Sequence, residues 1–121
     1  MDLRRLAEAQ PFTTLDGSSI REVAGPVSGN AGNQSLAEAT VPPGGETFEH
    51  YHRTSEEIYF FMSGSGRLRV GDQETEVGPG ACVVIFPGVG HKLWNTGDEP
   101  LKLLCCCSPA YSDADTVMLE G

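Results

Sequence analysis

The stretch GGETFEHYHRTSEEIYFFMSG, residues 44–64, decides the fold and contains two of the three histidines of the chain. His50 and His52 are two positions apart, and side chains at that spacing leave the same face of a β-strand. The polar run at 53–55 can turn the chain, and the β-branched and aromatic run at 58–62 predicts a second strand. Two imidazoles and the carboxylate of Glu57 therefore come to neighbouring strands, which is part of a metal site.

A second stretch, FPGVGHKLWN at 86–95, holds the third histidine, His91. Imidazole nitrogen and carboxylate oxygen suit first-row divalent ions, so zinc, iron, manganese, nickel and copper all remain open. Three histidines and one glutamate can leave coordination positions for substrate, water or O₂. The sequence predicts that His50, His52, Glu57 and His91 bind one such ion.

Glu56 competes with Glu57 for the ligand position. A strand reverses side-chain direction at each residue, so two adjacent glutamates on one strand cannot both face the interior. Tyr59 and Phe61 are the expected inward aromatic residues, and they share parity with Glu57. This parity favours Glu57 as the metal ligand and leaves Glu56 facing outward or supporting the ligands.

The rest of the chain consists of short strand-like runs separated by turn residues. Asp16-Gly17 and Gly71-Asp72 each separate two such runs, which predicts two hairpins. Further strands are predicted at 34–41, 81–86, 91–95 and 101–107, and one short helix at 1–9. This pattern indicates an all-β sandwich or barrel with a short N-terminal helix.

Composition limits the partners of the chain. Its 121 residues suffice for one domain, and its formal net charge of −9 disfavours nucleic acid and anionic membrane surfaces as partners. No apolar run is long enough for a signal peptide or a membrane span, so we expect a cytoplasmic protein.

The four cysteines, at 82, 105, 106 and 107, contain no C-x-x-C pair, and we expect them to stay reduced.

Two motifs in this sequence resemble those of the cupins. The first is a glycine, five residues, His-x-His, four residues, Glu, six residues and a glycine, and it is filled by Gly44, His50, His52, Glu57 and Gly64. The second has Gly80, Gly88, His91 and Asn95 in place. Phe86 stands where the family usually has the proline of Pro-x-Gly, and Pro87 follows it. That departure touches the turn before His91 and no predicted ligand.

The resemblance implies a double-stranded β-helix, or jelly-roll barrel, with a metal held inside by His50, His52, Glu57 and His91. One barrel per chain resembles the single-domain cupins, which are often homodimers. We expect an N-terminal arm and hairpin at 1–33, the metal-site barrel at 34–107 and a C-terminal tail at 108–121. The family includes decarboxylases, dioxygenases and sugar isomerases, and the fold does not choose among them.

Strand parity also predicts the wall of a ligand pocket. Aromatic and aliphatic side chains on the ligand-bearing faces exclude water around a few polar groups. The predicted pocket residues are Phe48, Tyr59, Phe61, Leu93, Cys82, Cys105 and Cys107. Core packing is the alternative role for each. Tyr59 is in addition a candidate catalytic residue, because its phenol can donate a proton or a hydrogen bond beside the metal.

Three functions are compatible with these residues. The first is an enzyme whose metal coordinates a small polar oxygenated substrate, such as an oxo-acid, a hydroxy-acid or a sugar derivative, for isomerisation, decarboxylation or dioxygenation. The second is a module that binds or senses a small ligand without turnover. The third is a structural dimer in which the metal only joins strands. A second acid or base beside an open metal position favours the enzyme.

Overall fold

The chain folds into eleven β-strands, and the computed structural model describes all residues, 1–121. The strands are β1 (Phe12–Thr13), β2 (Ser19–Ala24), β3 (Ser35–Val41), β4 (His50–His52), β5 (Glu56–Ser63), β6 (Gly66–Val70), β7 (Gln73–Val77), β8 (Cys82–Ile85), β9 (His91–Asn95), β10 (Leu101–Ser108) and β11 (Thr116–Met118). The hairpins predicted at Asp16-Gly17 and Gly71-Asp72 join β1 to β2 and β6 to β7.

The strands form two antiparallel sheets. The six-stranded sheet has the order β1-β2-β3-β10-β5-β8, and the five-stranded sheet has the order β11-β4-β9-β6-β7. Consecutive strands repeatedly lie in different sheets, as β3 and β4 do and again β4 and β5. This is the topology of the predicted double-stranded β-helix, and it faces the histidines of one sheet toward the glutamate of the other.

The core fills the barrel beside the histidines. Alternate residues of the long strands face inward, and the fully buried large side chains come from both sheets: Phe61, Leu68, Ile85, Leu93, Leu101 and Leu103. Burying one such side chain contributes roughly 1.5–3 kcal/mol. The barrel therefore has an apolar core that does not depend on the histidines.

The predicted N-terminal helix at 1–9 is much shorter in the structure. The segment forms only a 3₁₀ turn, Leu6–Glu8, with no buried residue. Three residues close a single turn, and without an apolar stripe there is nothing to stabilise a longer helix against the sheet. The other helical segment, Asp113–Asp115, is equally short, so no helix of the chain has the length and apolar character for crossing a membrane.

Candidate metal centre

Two strands of the smaller sheet bring the three histidines together. His50 and His52 lie at the two ends of the three-residue strand β4, so both side chains leave the same face and each is 3% exposed. His91 begins β9, where it pairs directly with His50 in the antiparallel ladder. One ring nitrogen from each of the three lies within 4.8 Å of the others, so the three imidazoles can bind one metal ion.

The other ring nitrogen of each histidine is held by a hydrogen bond on the far side. Nδ1 of His50 donates to the Phe48 carbonyl at 2.7 Å, and Nδ1 of His91 donates to the Val89 carbonyl at 3.0 Å. A backbone carbonyl can only accept, so both rings carry their proton on Nδ1. Their Nε2 lone pairs are left free to bind a metal.

His52 reaches the same state through a hydroxyl group. Its Nδ1 lies 3.0 Å from Oγ1 of Thr116, a residue of β11. Thr116 donates its only hydroxyl proton to the Ser112 carbonyl at 2.9 Å, so it accepts from Nδ1 of His52. The Nε2 lone pair of His52 is therefore free as well.

Glu57 comes from the opposite sheet and faces the histidines. Its carboxylate is buried, with Oε1 lying 3.1 Å from Nε2 of His52 and 3.4 Å from Nε2 of His91. Oε2 accepts a hydrogen bond from Sγ of Cys107, its partner in the β5–β10 ladder, at 3.2 Å. Glu56 is exposed, so the two glutamates have the orientations that strand parity predicts.

Burial and neighbouring groups shift the pKa values of the residues at this site. Burial alone would raise the pKa of Glu57, but the imidazoles of His52 and His91 beside the carboxylate hold that pKa below its ordinary value. Burial lowers the pKa of His91, and the carboxylate of Glu57, whose Oε1 lies 3.4 Å from Nε2, outweighs burial and raises that pKa. Burial and the nearby charge of His91 lower the pKa of His50. Glu57 is thus an anion at neutral pH, and it attracts positive charge to this site.

The donor set fits a divalent metal. With the ring protons on Nδ1, Nε2 of His52 and Oε1 of Glu57 face each other as two acceptors, and such a contact needs a cation or an extra proton between them. Nε2 of His91 is buried without any hydrogen-bond partner. One first-row divalent ion would satisfy these atoms together, with three nitrogens and one oxygen as ligands.

A cavity of about 520 Å³ opens in front of these residues. All of the candidate ligands except His91 line it, together with four of the predicted pocket residues, Tyr59, Leu93, Cys105 and Cys107. Its other walls combine apolar side chains with serine, threonine and tyrosine hydroxyl groups, and they come from β1, β2, β3 and β10 and from the segments 26–32 and 109–113. Its charged lining residues are all acidic, namely Asp16, Glu22, Glu57 and Asp113, and no lysine or arginine reaches it.

Three predicted pocket residues do not line the cavity. Phe48 precedes β4, where the backbone is not yet in the strand, and its side chain is exposed beside Gly17 and Gly121. Phe61 faces inward as predicted, but it lies two positions deeper along β5 and is buried in the core. Cys82 pairs with Phe60 on the outward parity of β8, so it is exposed.

Tyr59 lies at the boundary between the core and the metal centre. It is 4% exposed, and its ring meets the ring of His91 edge-on with centroids 5.8 Å apart. Burial and the charge of Glu57 raise the pKa of Tyr59 well above its ordinary value. The phenol therefore keeps its proton at neutral pH and can act as a donor in the cavity.

Three residues at the centre were not expected from the sequence. Asp16 lies in the β1–β2 hairpin loop with Oδ2 at 3.9 Å from Nε2 of His50. Tyr111 meets the ring of His52 edge-on at 5.8 Å, and Thr116 holds Nδ1 of His52. The sequence motif contains none of them, because the tertiary fold brings them to the histidines from both ends of the chain.

Comparisons with known proteins agree with this fold. The family model described as "Cupin domain" matches residues 37–107. The uncharacterized protein MJ1618 of Methanocaldococcus jannaschii is 46% identical over 111 residues, which are 92% of this chain and 89% of that protein.

Solved structures with the same fold include two enzymes. Oxalate decarboxylase of Lactobacillus farciminis, in its formate complex, superposes with a TM-score of 0.78 at 27% identity over 93% of this chain and 34% of that chain. This chain therefore spans about a third of that enzyme. The nucleoside dehydratase Pac13 of Streptomyces gives a TM-score of 0.80 at 13% identity over 99% of this chain and 92% of that chain, which is a likeness of fold alone.

Proposed function

This chain belongs to the cupin family, and on that premise we propose that it is a metal-dependent enzyme acting on a small oxygenated substrate. One divalent ion would be held by His50, His52, Glu57 and His91. When bound there, such an ion supplies Lewis-acid polarisation of a coordinated substrate oxygen. The proposal rests on one observation. The three histidines direct Nε2 atoms with free lone pairs toward one point, beside a cavity large enough for a ligand.

The cavity distinguishes this proposal from a purely structural metal. A structural ion is surrounded by protein ligands, whereas His50, His52 and Glu57 all border open space. A volume of about 520 Å³ is within the usual range of ligand sites. The barrel also buries its aliphatic core independently of the histidines, so a metal is not needed to join the strands.

The walls of the cavity favour an uncharged substrate. Apart from the metal, a dicarboxylate or a free oxo-acid would find no lysine or arginine to pair with, because the charged side chains of the lining other than the histidines are all acidic. Burying an unpaired carboxylate beside Asp16 and Glu57 is strongly unfavourable. Among the substrate classes expected from the sequence, we therefore favour sugar derivatives over oxo-acids and hydroxy-acids. We add uncharged hydroxy ketones, which were not among those classes.

Tyr59 is the proposed proton donor of the reaction. Its phenol lines the cavity beside His91 and keeps its proton at neutral pH. In an enolisation the phenol would give its proton to the polarised oxygen, while the carbon-bound proton would pass to solvent water and return from there to the phenolate. A second group able to transfer a proton beside an open metal position is the feature that favours the enzyme over the binding module.

The test is turnover by the metal-loaded protein. Uncharged hydroxy ketones and ketose sugars, with oxalate and pyruvate as anionic counterparts, are incubated with the wild type and followed by NMR. We expect conversion of an uncharged substrate, its loss in His52→Ala, and a reduction of about a hundred- to ten-thousandfold in Tyr59→Phe. Tyr51→Phe, on the same strand as the histidines but outside the cavity lining, is the matched control and keeps full activity.

Two results would contradict the proposal. Conversion of oxalate or pyruvate with none of an uncharged substrate would overturn the substrate class. Saturable binding of ligands at the metal without any conversion would replace the enzyme with the binding module.

The homodimer expected from the resemblance stays a prediction.

A further inference from the structure

Asp16 places a second carboxylate beside the histidines. It lies in the loop between β1 and β2 and lines the same cavity as His50, His52 and Glu57, with its side chain 14% exposed. The backbone N–H of Phe48 donates to the Asp16 carbonyl at 2.8 Å, which ties this loop to the residues just before β4. The position of Asp16 is therefore fixed relative to the histidine strand.

The two oxygens of this carboxylate have different surroundings. Oδ1 accepts three hydrogen bonds within the loop, from Oγ1 of Thr14 at 2.7 Å, the N–H of Ser18 at 2.9 Å and Oγ of Ser18 at 2.6 Å. Oδ2 accepts none, and its 3.9 Å separation from Nε2 of His50 is too long for a hydrogen bond. Its lone pairs are available to a group in the cavity.

The loop itself does not explain the negative charge. An asparagine would accept the same three bonds through its amide oxygen, and it would avoid placing another anion in a cavity that already holds Glu57. The other acidic residues of the lining are accounted for differently. Glu22 accepts from the N–H and Oγ of Ser28, and Asp113 lies exposed at the rim, where it accepts from Tyr111.

We propose that Oδ2 of Asp16 accepts a hydrogen bond from a hydroxyl group of the substrate held at the histidine cluster, and that Asp16 thereby determines specificity. This inference rests on the proposed function, because it assumes an oxygen ligand at the metal. It narrows the substrate class to molecules that carry an O–H donor beside the metal-binding oxygen, such as α-hydroxy ketones. A carboxylate in that position would present an acceptor to an acceptor.

A matched pair of small ligands isolates this contact. Hydroxyacetone and pyruvate share a three-carbon skeleton and a ketone, but the first ends in an O–H donor and the second in a carboxylate. Their binding is measured with cobalt(II)-loaded protein, because the visible spectrum of the cobalt ion reports a change in its ligands without any turnover. We expect the wild type to bind hydroxyacetone more tightly than pyruvate.

Asp16→Asn is expected to reverse this preference. The three hydrogen bonds of the loop should hold the amide oxygen of the asparagine at the position of Oδ1. Its NH₂ group then takes the position of Oδ2, so the cavity gains a hydrogen-bond donor where it had an acceptor. Hydroxyacetone should bind about tenfold more weakly and pyruvate about tenfold more tightly, which is the size of one hydrogen bond to a charged group. The cobalt content should stay at the wild-type level, because the four ligands are unchanged.

Two further variants separate this role from a structural one. Ser18→Ala removes one loop bond and keeps the carboxylate, so the preference for hydroxyacetone should remain. Asp98→Asn changes an exposed carboxylate outside the cavity lining and should also leave the preference unchanged. If Asp16→Asn does not fold, Ser18→Ala and the wild type still test the proposal, since equal binding of the two ligands by the wild type overturns it.

The outcomes distinguish the two proposals. An unchanged preference in Asp16→Asn would overturn the role of Asp16 and leave the metal-dependent enzyme intact. Loss of cobalt from Asp16→Asn alone would also overturn the proposed role of Asp16, because it would show that Asp16 binds the metal itself. If neither ligand alters the cobalt spectrum of the wild type, the open metal site fails, and this inference fails with it.

Discussion

Nδ1 of His52 donates a hydrogen bond to Oγ1 of Thr116, and the two residues are 64 positions apart in the sequence. Thr116 begins β11, which pairs with β4, so the C-terminal segment fixes the ring of a candidate ligand supplied by the centre of the chain. Partners of this kind orient the imidazole and set its tautomer. The C-terminal segment is therefore part of the candidate metal centre.

Thr116→Val should weaken metal binding without unfolding the protein. Valine keeps the shape of threonine but cannot accept from Nδ1 of His52, and losing such a partner typically costs 10–100-fold in metal affinity. Titration with zinc against a chromophoric chelator measures the change. Thr75→Val, at an exposed position of β7, is the control and should match the wild type. Equal affinity in both variants would show that Thr116 does not support the site.

The adjacent glutamates provide a second matched pair. Glu57→Gln removes the negative charge and an oxygen ligand from the buried centre, so metal affinity should fall by at least tenfold. Glu56→Gln changes an exposed side chain, and both metal affinity and stability should stay near the wild type, within about 0.5 kcal/mol. The same chelator titration checks both variants. A larger loss of metal in Glu56→Gln would contradict the assignment.

Gly64, the glycine that closes the first motif, is required by the backbone. Its φ is +84°, and a Cβ atom there would lie 2.7 Å from the Pro100 carbonyl oxygen. Gly64→Ala combines left-handed strain with this clash and should destabilise the fold by roughly 2–4 kcal/mol. Gly44→Ala has a similar φ of +76° but open space, so it should cost only about 1–2 kcal/mol. Equal urea midpoints of unfolding for these two variants would contradict the clash between the added Cβ atom at position 64 and the Pro100 carbonyl oxygen.

The cysteines should differ sharply in reactivity. Burial and the charge of Glu57 raise the pKa values of Cys105 and Cys107, so their reactive thiolate forms are scarce at neutral and mildly alkaline pH. Cys82 is exposed. At pH 8, iodoacetamide should therefore modify Cys82 first and spare Cys105 and Cys107 until the protein is unfolded. Peptide mass spectrometry reads the sites, and early labelling of Cys107 would contradict the hydrogen bond that it donates to Glu57.

The sequence predicts directions along strands better than positions across the barrel. Parity alone oriented Glu57 inward and Glu56 outward, because both lie within β5. The same rule failed for Phe48, since parity has meaning only inside a strand and β4 begins at His50. It gave the correct face for Phe61 but not its depth, which depends on how the two sheets stack.

The contacts that surround the ligands could not be predicted from the sequence. Asp16 has the sequence signature of a hairpin turn, and the structure shows that turn, but nothing local indicates that the hairpin lies over His50. Thr116 and Tyr111 belong to a tail whose pairing with β4 is a tertiary event. Each of these contacts joins segments far apart in the chain, where strand order and register decide which side chains meet.

Metal content is the direct test of whether His50, His52, Glu57 and His91 hold one divalent metal. Wild-type protein and the His91→Ala variant are purified identically and measured by elemental analysis, with circular dichroism to confirm that both keep the β fold. We expect close to one first-row divalent ion per wild-type chain and little in His91→Ala, because Nε2 of His91 is buried without a hydrogen-bond partner. Equal metal content in the two proteins, or none in the wild type even after incubation with each candidate ion, would contradict it.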